Sequence, residues 1–397
     1  MKTRVRYTVF LLSFFLLFGG GLYAQNDRLE MFQSNFASAN LQTKMEILRA
    51  AGAEDPARFG PLYRQAIEHV INNSGRITGE SMLREMAMLA TNRIDDGSYS
   101  PAAADLWRLF QDHGETSFRI RALEVLGNVG SGNPDVVEGV IDWVRRQHVV
   151  SEGGGRPDLQ VLAAAVDTLG EFGDSRAFAV LIDTVLLQYP GFVTASARRS
   201  LAGLEGDVVA LSLSSLRSRP LLERRPLFSL LLTAGFLDEG EQRELSRELL
   251  ADTLNVSTSD LRAQEEARQI RFAAAQILRD GRYDPATPQV IRHFNQTVLE
   301  FERGRISSGP LLEAVATVGA MGNEDAAQRL TQYLDLLNTY TESDRPQDTQ
   351  IMLAVIGNLE TLGSPIAYNS LFYTTMLENY PRTVRERARQ AAMAVAR

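Results

Sequence analysis

The chain has 397 residues, 44% of them hydrophobic, with no cysteine and a formal charge of −8. Lack of cysteine rules out disulfides and thiolate metal sites, so packing alone must stabilise the fold. The acidic balance argues against a role that grips nucleic-acid phosphates. Only Lys2 and Lys44 are lysines, leaving 39 of 41 basic residues as arginine. Genome composition accounts for such a bias, and so does a demand for arginine's planar fork, which pairs carboxylates across helices better than a lysine ammonium does.

The first 24 residues read as a secretory signal. Lys2, Arg4 and Arg6 form a basic start, residues 9–18 an apolar core, and a small-residue exit ends in Leu22-Tyr23-Ala24. Ten apolar-type residues are too few to span a bilayer comfortably. The expectation is cleavage near Ala24, leaving 373 residues with a charge of −11 in the periplasm or secreted, with no membrane anchor. A lipid anchor would need a cysteine at the new N-terminus.

From there on a corner recurs. Gly52, Gly97, Gly130 and Gly281 are each followed four residues later by a proline with a small polar residue before it: Asp55-Pro56, Ser100-Pro101, Asn133-Pro134 and Asp284-Pro285. Glycine is expected there at the left-handed C′ position of one helix, and the polar residue and proline as N-cap and first residue of the next. Looser corners stand at Gly173, Gly206, Gly235, Gly322 and Gly363. Nine corners at an average spacing of about 39 residues predict an all-α chain, an α-α superhelix of about eight to nine helix pairs. Residues 25–397 read as one continuous array, with the weakest repeat signal over 194–254.

Helices before the corners carry one apolar stripe in steps of three and four: Ile120, Leu123, Leu126 and Val129; Leu162, Val166, Leu169 and Phe172; Leu311, Val315, Val318 and Met321; Met352, Val355, Ile356, Leu359 and Leu362. Helices after the corners are expected to be longer. The polar stretches 151–157, 255–266 and 341–348 read as surface loops, and Gly153-Gly154-Gly155, without a phosphate loop's lysine, as a linker.

Leu126-Gly127-Asn128-Val129-Gly130, Leu169-Gly170-Glu171-Phe172-Gly173, Val318-Gly319-Ala320-Met321-Gly322 and Leu359-Glu360-Thr361-Leu362-Gly363 resemble the end of the first helix in HEAT-like (armadillo-type) repeats. The resemblance implies a solenoid whose second helices line a concave face. It identifies no single activity.

Enzymatic branches of such folds are not matched by the residues. His69, His113, His148 and His293 lack the His-Glu pairing and the i, i+4 clustering of a metal site, and the chain has no Gly-x-Ser-x-Gly elbow. Catalytic residues, metal ligands and cofactors are therefore expected to be none, and the protein not to be an enzyme. Two features remain for binding. Tyr333, Tyr340, Tyr368, Phe372, Tyr373 and Tyr380 fall on late second helices at four- and seven-residue spacings, which place them on helical faces able to anchor a protein segment; packing between helices is the other reading. Arg198, Arg199, Arg217, Arg219, Arg224 and Arg225 form a basic island able to receive an anionic cell-envelope polymer; a salt-bridged surface is its counterpart. The expected function is an exported, non-catalytic scaffold for a protein partner, with the polymer-binding module as alternative and an enzyme third.

Overall fold

A computed structural model describes residues 27–77, 79–345 and 347–396, so the expected signal segment lies outside the described residues. Among these the chain is helical without a strand, and no helix is long and apolar enough to cross a membrane. The chain divides into two compact units, the first ending at Gly206 and the second beginning at Asp207, inside the stretch where the repeat signal is weakest.

The first unit contains α1 (27–38), α2 (Leu41–Ala51), α3 (Pro56–Asn72), α4 (Ser81–Asp96), α5 (Ala103–Asp112), α6 (Thr116–Val129), α7 (Pro134–Glu152), α8 (Leu159–Phe172), α9 (Phe178–Leu186) and α10 (Gly191–Ala202). Each even-numbered helix from α2 packs on the next even one, and α3, α5, α7 and α9 do the same in a second layer. The second unit repeats this with α11 (Val208–Ser218), α12 (Leu221–Thr233), α13 (Glu239–Leu254), α14 (Leu261–Asp280), α15 (Thr287–Glu302), α16 (Ser308–Ala320), α17 (Glu324–Glu342), α18 (Thr349–Leu362), α19 (Tyr368–Met376) and α20 (Arg382–Val395). The fold class is thus all-α, a solenoid of stacked helix pairs, with every corner glycine leading from an even helix to an odd one.

The stripes expected to be buried form the core between the layers. Leu162, Val166, Leu169, Leu311, Val315, Val318, Met352, Val355, Ile356 and Leu359 are all fully buried. Second helices are not uniformly longer: α7 and α17 run to 19 residues, but α5 has 10 and α9 and α19 only 9. Short 3₁₀ turns before α5, α9 and α19 take residues that would otherwise extend them.

The corners have a different physical origin from the one expected. Gly52, Gly97, Gly130 and Gly281 are not left-handed; their φ angles are −63°, −95°, −99° and −82°. After Gly97 and Gly281 the left-handed residue is the next one, Ser98 at φ 47° and Arg282 at φ 46°. The Tyr99 and Tyr283 N–H groups then donate back to Ile94 and Leu278 carbonyls at 3.0 Å, closing each helix end. Space selects glycine at Gly97: a Cβ there would sit 2.6 Å from the Pro56 carbonyl and 2.7 Å from the Ala57 nitrogen, both backbone. One corner presses on the start of the preceding second helix. The looser corners, by contrast, do hold left-handed glycines, with φ between 66° and 115° at Gly173, Gly206, Gly235, Gly322 and Gly363. Asp55 and Asn133 cap α3 and α7 as expected, accepting from Ala57 and from Asp135 and Val136, whereas Ser100 and Asp284 open 3₁₀ turns that lack a side-chain cap.

Gly97→Ala is expected to destabilise the protein by about 2 kcal/mol or more, since backbone must shift to admit the methyl. Arg282→Gly is expected to stabilise it by about 0.5 to 1 kcal/mol, because glycine adopts the left-handed region without strain. Urea titrations of both variants check the pair; equal midpoints for parent and Gly97→Ala would show that the corner has slack.

Candidate functional site

A trough of about 1020 Å³ crosses α6, α8 and α10 on the outer side of the even layer in the first unit. Its floor is made of small residues, Ala163, Ala164 and Gly170 of α8, and its ends carry Ile120 and Phe192. Phe192 is 52% exposed. The floor is shallow because the three helices approach closely. A Cβ on Gly170 would fall 2.5 Å from Ser200 Oγ and 2.8 Å from Ser200 Cα. Ser200 of α10 donates to the Val166 carbonyl of α8 at 2.9 Å, and Thr168 Oγ1 of α8 lies 3.0 Å from the Leu123 carbonyl of α6. Hydroxyls reaching neighbouring backbone replace the bulky apolar contacts of an ordinary helix interface.

Charge in the trough is unbalanced. Glu124, Asp167 and Glu171 line it against one cation, Arg199. Asp167 accepts from Ser196 at 3.0 Å and from Arg199 at 3.2 Å, and Glu124 from Arg121 at 3.1 Å. Glu171 lies over Gly127 of α6, at the place a Cβ would occupy, and no basic side chain reaches it among the described residues. Burial against α6 and then the charges of Asp167, Glu124 and Asp95 push its carboxyl above the usual glutamate range. A group so placed gains from a cation supplied from outside.

The aromatic residues expected to form a strip are not all on one surface. Tyr333 and Tyr380 are core residues, 3% and 4% exposed. Tyr333 packs edge-on to Phe294 with centroids 5.1 Å apart, under the Arg329 guanidinium, and Tyr380 donates to Asn338 Oδ1 at 3.1 Å, burial pushing its hydroxyl up to about 12. Tyr340 is half-buried and donates to Glu302 at 3.3 Å. Tyr368, Phe372 and Tyr373 are exposed on α19; the first two stack at 6.1 Å, and Tyr373 donates to Glu342 of α17. The four-residue pair Tyr368 and Phe372 keeps a common face. Of the seven-residue pairs, Tyr333 is buried while Tyr340 is half-buried, and Tyr380, expected on a second helix, lies beyond the end of α19 at Met376 and shares no helical face with Tyr373.

The arginine island is largely committed inside the chain. Arg199 pairs with Asp167, Arg217 with Asp252 through two bonds of 2.5 and 2.8 Å, and Arg225 with Glu266 at 2.6 Å. Arg224 donates to the Arg219 and Arg217 carbonyls and Arg219 lies 3.7 Å from Glu223. Arg198 and Arg199 belong to the first unit and the other four to the second. Sequence reasoning missed the trough because it arises from small residues of α8 meeting α6 and α10; the only linear trace of it is the Leu-Gly-x-x-Gly spacing itself.

Among the described residues no three His, Asp or Glu side chains are grouped so as to hold a metal ion. His148 and His293 are buried; His148 lies 3.0 Å from Thr184 Oγ1, and His293 stands edge-on to Phe272 beside Arg271. Burial and then Arg145 lower His148 to about 4; burial and then Arg271 lower His293 to about 3.

No family model matches this chain, and no curated protein does. The crystal structure of an engineered protein aligns over 90% of this chain and 100% of its own length, at 15% identity and a TM-score of 0.33.

Two predictions follow from the buried groups. Tyr333→Ala is expected to cost about 3 to 5 kcal/mol by leaving a cavity, whereas Phe372→Ala on the exposed face should cost less than about 1 kcal/mol. Thermal melts of the two variants decide it; similar losses would place Phe372 in the core. The histidines add a pH dependence. Their folded values lie below the unfolded value near 6.5, so between about pH 6.5 and 3 the unfolded chain binds more protons, and stability must fall as pH falls through that window. By pH 5 each contributes a loss of about 2 kcal/mol. Urea midpoints at pH 7 and pH 5 measure it, and His148→Gln should shrink the difference.

Proposed function

We propose that this chain is an exported, non-catalytic docking protein of the HEAT-like type, and that it holds a basic segment of a partner protein in the trough across α6, α8 and α10. The observation that carries the reading is Glu171, a carboxylate set against Gly127 with three acidic neighbours and no cation of its own. A lysine or arginine of a bound segment would supply the missing charge, and a neighbouring apolar residue would cover the exposed Phe192 ring. Small floor residues leave room along the trough for an extended chain. Stacked repeats build extended surfaces of this kind rather than deep pockets, which agrees with a binding role and with the absence of a catalytic constellation in the sequence.

The surface concerned belongs to the first helices, not to the second helices that the family resemblance points to. The anionic-polymer alternative is weakened because most of the island guanidiniums already have partners. Export rests on the three-part N-terminus alone, and mass spectrometry of protein from its native host should find Gln25 first.

A fluorescent peptide alternating arginine with leucine is the direct probe of docking. It should bind the full chain at low salt and weaken as salt rises. Losing one charge-assisted contact in Glu171→Gln should weaken it about tenfold, while Glu378→Gln, an exposed carboxylate on the second unit, should change little. Equal binding of an acidic counterpart peptide, or equal loss in both variants, would remove the trough from the reading.

A further inference from the structure

The second unit contains a half-open cavity of about 200 Å³ between the end of α13, the loop after it, and the facing sides of α14 and α15. Its inner wall is Arg271 on the third turn of α14, 2% exposed. A guanidinium so deeply placed needs compensation, and Glu300 of α15 provides it, Oε1 accepting from Arg271 at 2.7 Å. Glu300 is shared, however. It also accepts from Arg268 Nε at 3.2 Å and from Gln296 at 3.1 Å, so two guanidiniums and an amide draw on one carboxylate. Arg268 has a second acidic partner in Glu265, which is half-exposed and lies outside the cavity lining. His293 touches Arg271 from the far side, its Nδ1 3.5 Å from the guanidinium, and as a neutral ring it adds no negative charge.

A third guanidinium and several hydroxyls complete the polar lining, beside the Gln264 and Gln296 amides. Arg305 stands exposed at the rim, with Ser257 and Thr258 of the loop opposite. Thr258 Oγ1 accepts from the Asp260 N–H at 3.2 Å, which leaves its own proton to donate, and the Thr258 carbonyl is held by Gln264 at 2.7 Å. Glu300 is the one carboxylate among the lining residues, and its oxygens are already engaged. Arg271, Arg268 and Arg305 thus stand against one lining carboxylate, a surplus of positive charge that water cannot neutralise.

We propose that this cavity is a binding site for a small oxyanion, held between the Arg271 and Arg268 guanidiniums and closed by Arg305 and the loop hydroxyls. Guanidinium forks match the paired oxygens of phosphate and carboxylate groups, and the volume suits an inorganic ion or the anionic end of a small metabolite. The site is independent of the trough and of any protein partner.

The test uses the full chain. Melting temperature is followed against inorganic phosphate and, separately, acetate, each with sodium chloride at matched ionic strength as reference. Expected is a saturable rise with one of the two oxyanions, half-complete at about 1 to 10 mM, that chloride does not reproduce; the anion that saturates first assigns tetrahedral or planar chemistry. Removing Arg271 endangers folding, so the informative variant is Arg305→Ala. In chloride it should melt with the parent, while its half-saturating oxyanion concentration rises about tenfold. Arg303→Ala, a neighbour outside the lining, should titrate like the parent. A rise that chloride matches, no saturation with either oxyanion, or identical titrations for parent and Arg305→Ala would each overturn the assignment.

Discussion

The constraint on which the rest of each unit depends is how near one first helix can come to the next. At Gly170 against Ser200, and at Gly319 against Asn358, the space for a β-carbon is already filled by the neighbouring helix; Asn358 Oδ1 stands 1.9 Å from where that carbon would be at Gly319. Helices this close cannot interleave leucines on their outer sides, so leucine and valine are confined to the stripe that faces the other layer. Polar contacts fill the outer seam instead. The trough over α8 is the visible result, since a seam of alanine and glycine leaves an empty channel where larger side chains would have made a ridge.

Arginine use follows from the same closeness. In both layers guanidiniums bridge several helices to the one two places along: Arg49 to Glu85, Arg64 to Asp105, Arg121 to Asp95, Arg217 to Asp252, Arg225 to Glu266 and Arg387 to Glu360. Exposed pairs of this kind contribute only about 0 to 1 kcal/mol each. Their value lies in register, because a planar fork tolerates little sliding of one helix along another. The near-absence of lysine thus has a structural correlate, whatever the share of genome composition in it.

How much of this was legible in the sequence depends on which contacts are local. The apolar stripes at Leu162 to Phe172 and Leu311 to Met321 are local, and they identify helices, layer and core correctly. The corner spacing marks every passage from first to second helix. What fails is the physical reason for the glycines of the four strict corners, since Gly97 answers to Pro56 of another repeat, and a residue 41 positions away leaves no mark on the local pattern. The aromatic pairs fail likewise: seven residues on a helix is a same-face relation, but Phe294 of α15 covers Tyr333, and Tyr380 falls past the end of α19, where no helical spacing ties it to Tyr373. Glu171 reads in the sequence as one more surface carboxylate, and only the glycine of the preceding helix makes it a candidate site.

The direction of the arginine bridges carries a consequence for how such an array can change over time. From α2 to α4 the arginine sits on the earlier helix and the acid on the later, whereas between α4 and α6 the order is reversed, Asp95 preceding Arg121. Excision of the α4–α5 unit would bring Arg49 of α2 up against Arg121 of α6, two cations where each had an acid. Insertions and deletions of whole repeats, the simplest way for a tandem array to lengthen or shorten, are therefore penalised at specific joints. Each unit behaves as an ordered string whose neighbours are written into its charges, and its repeats are not interchangeable parts.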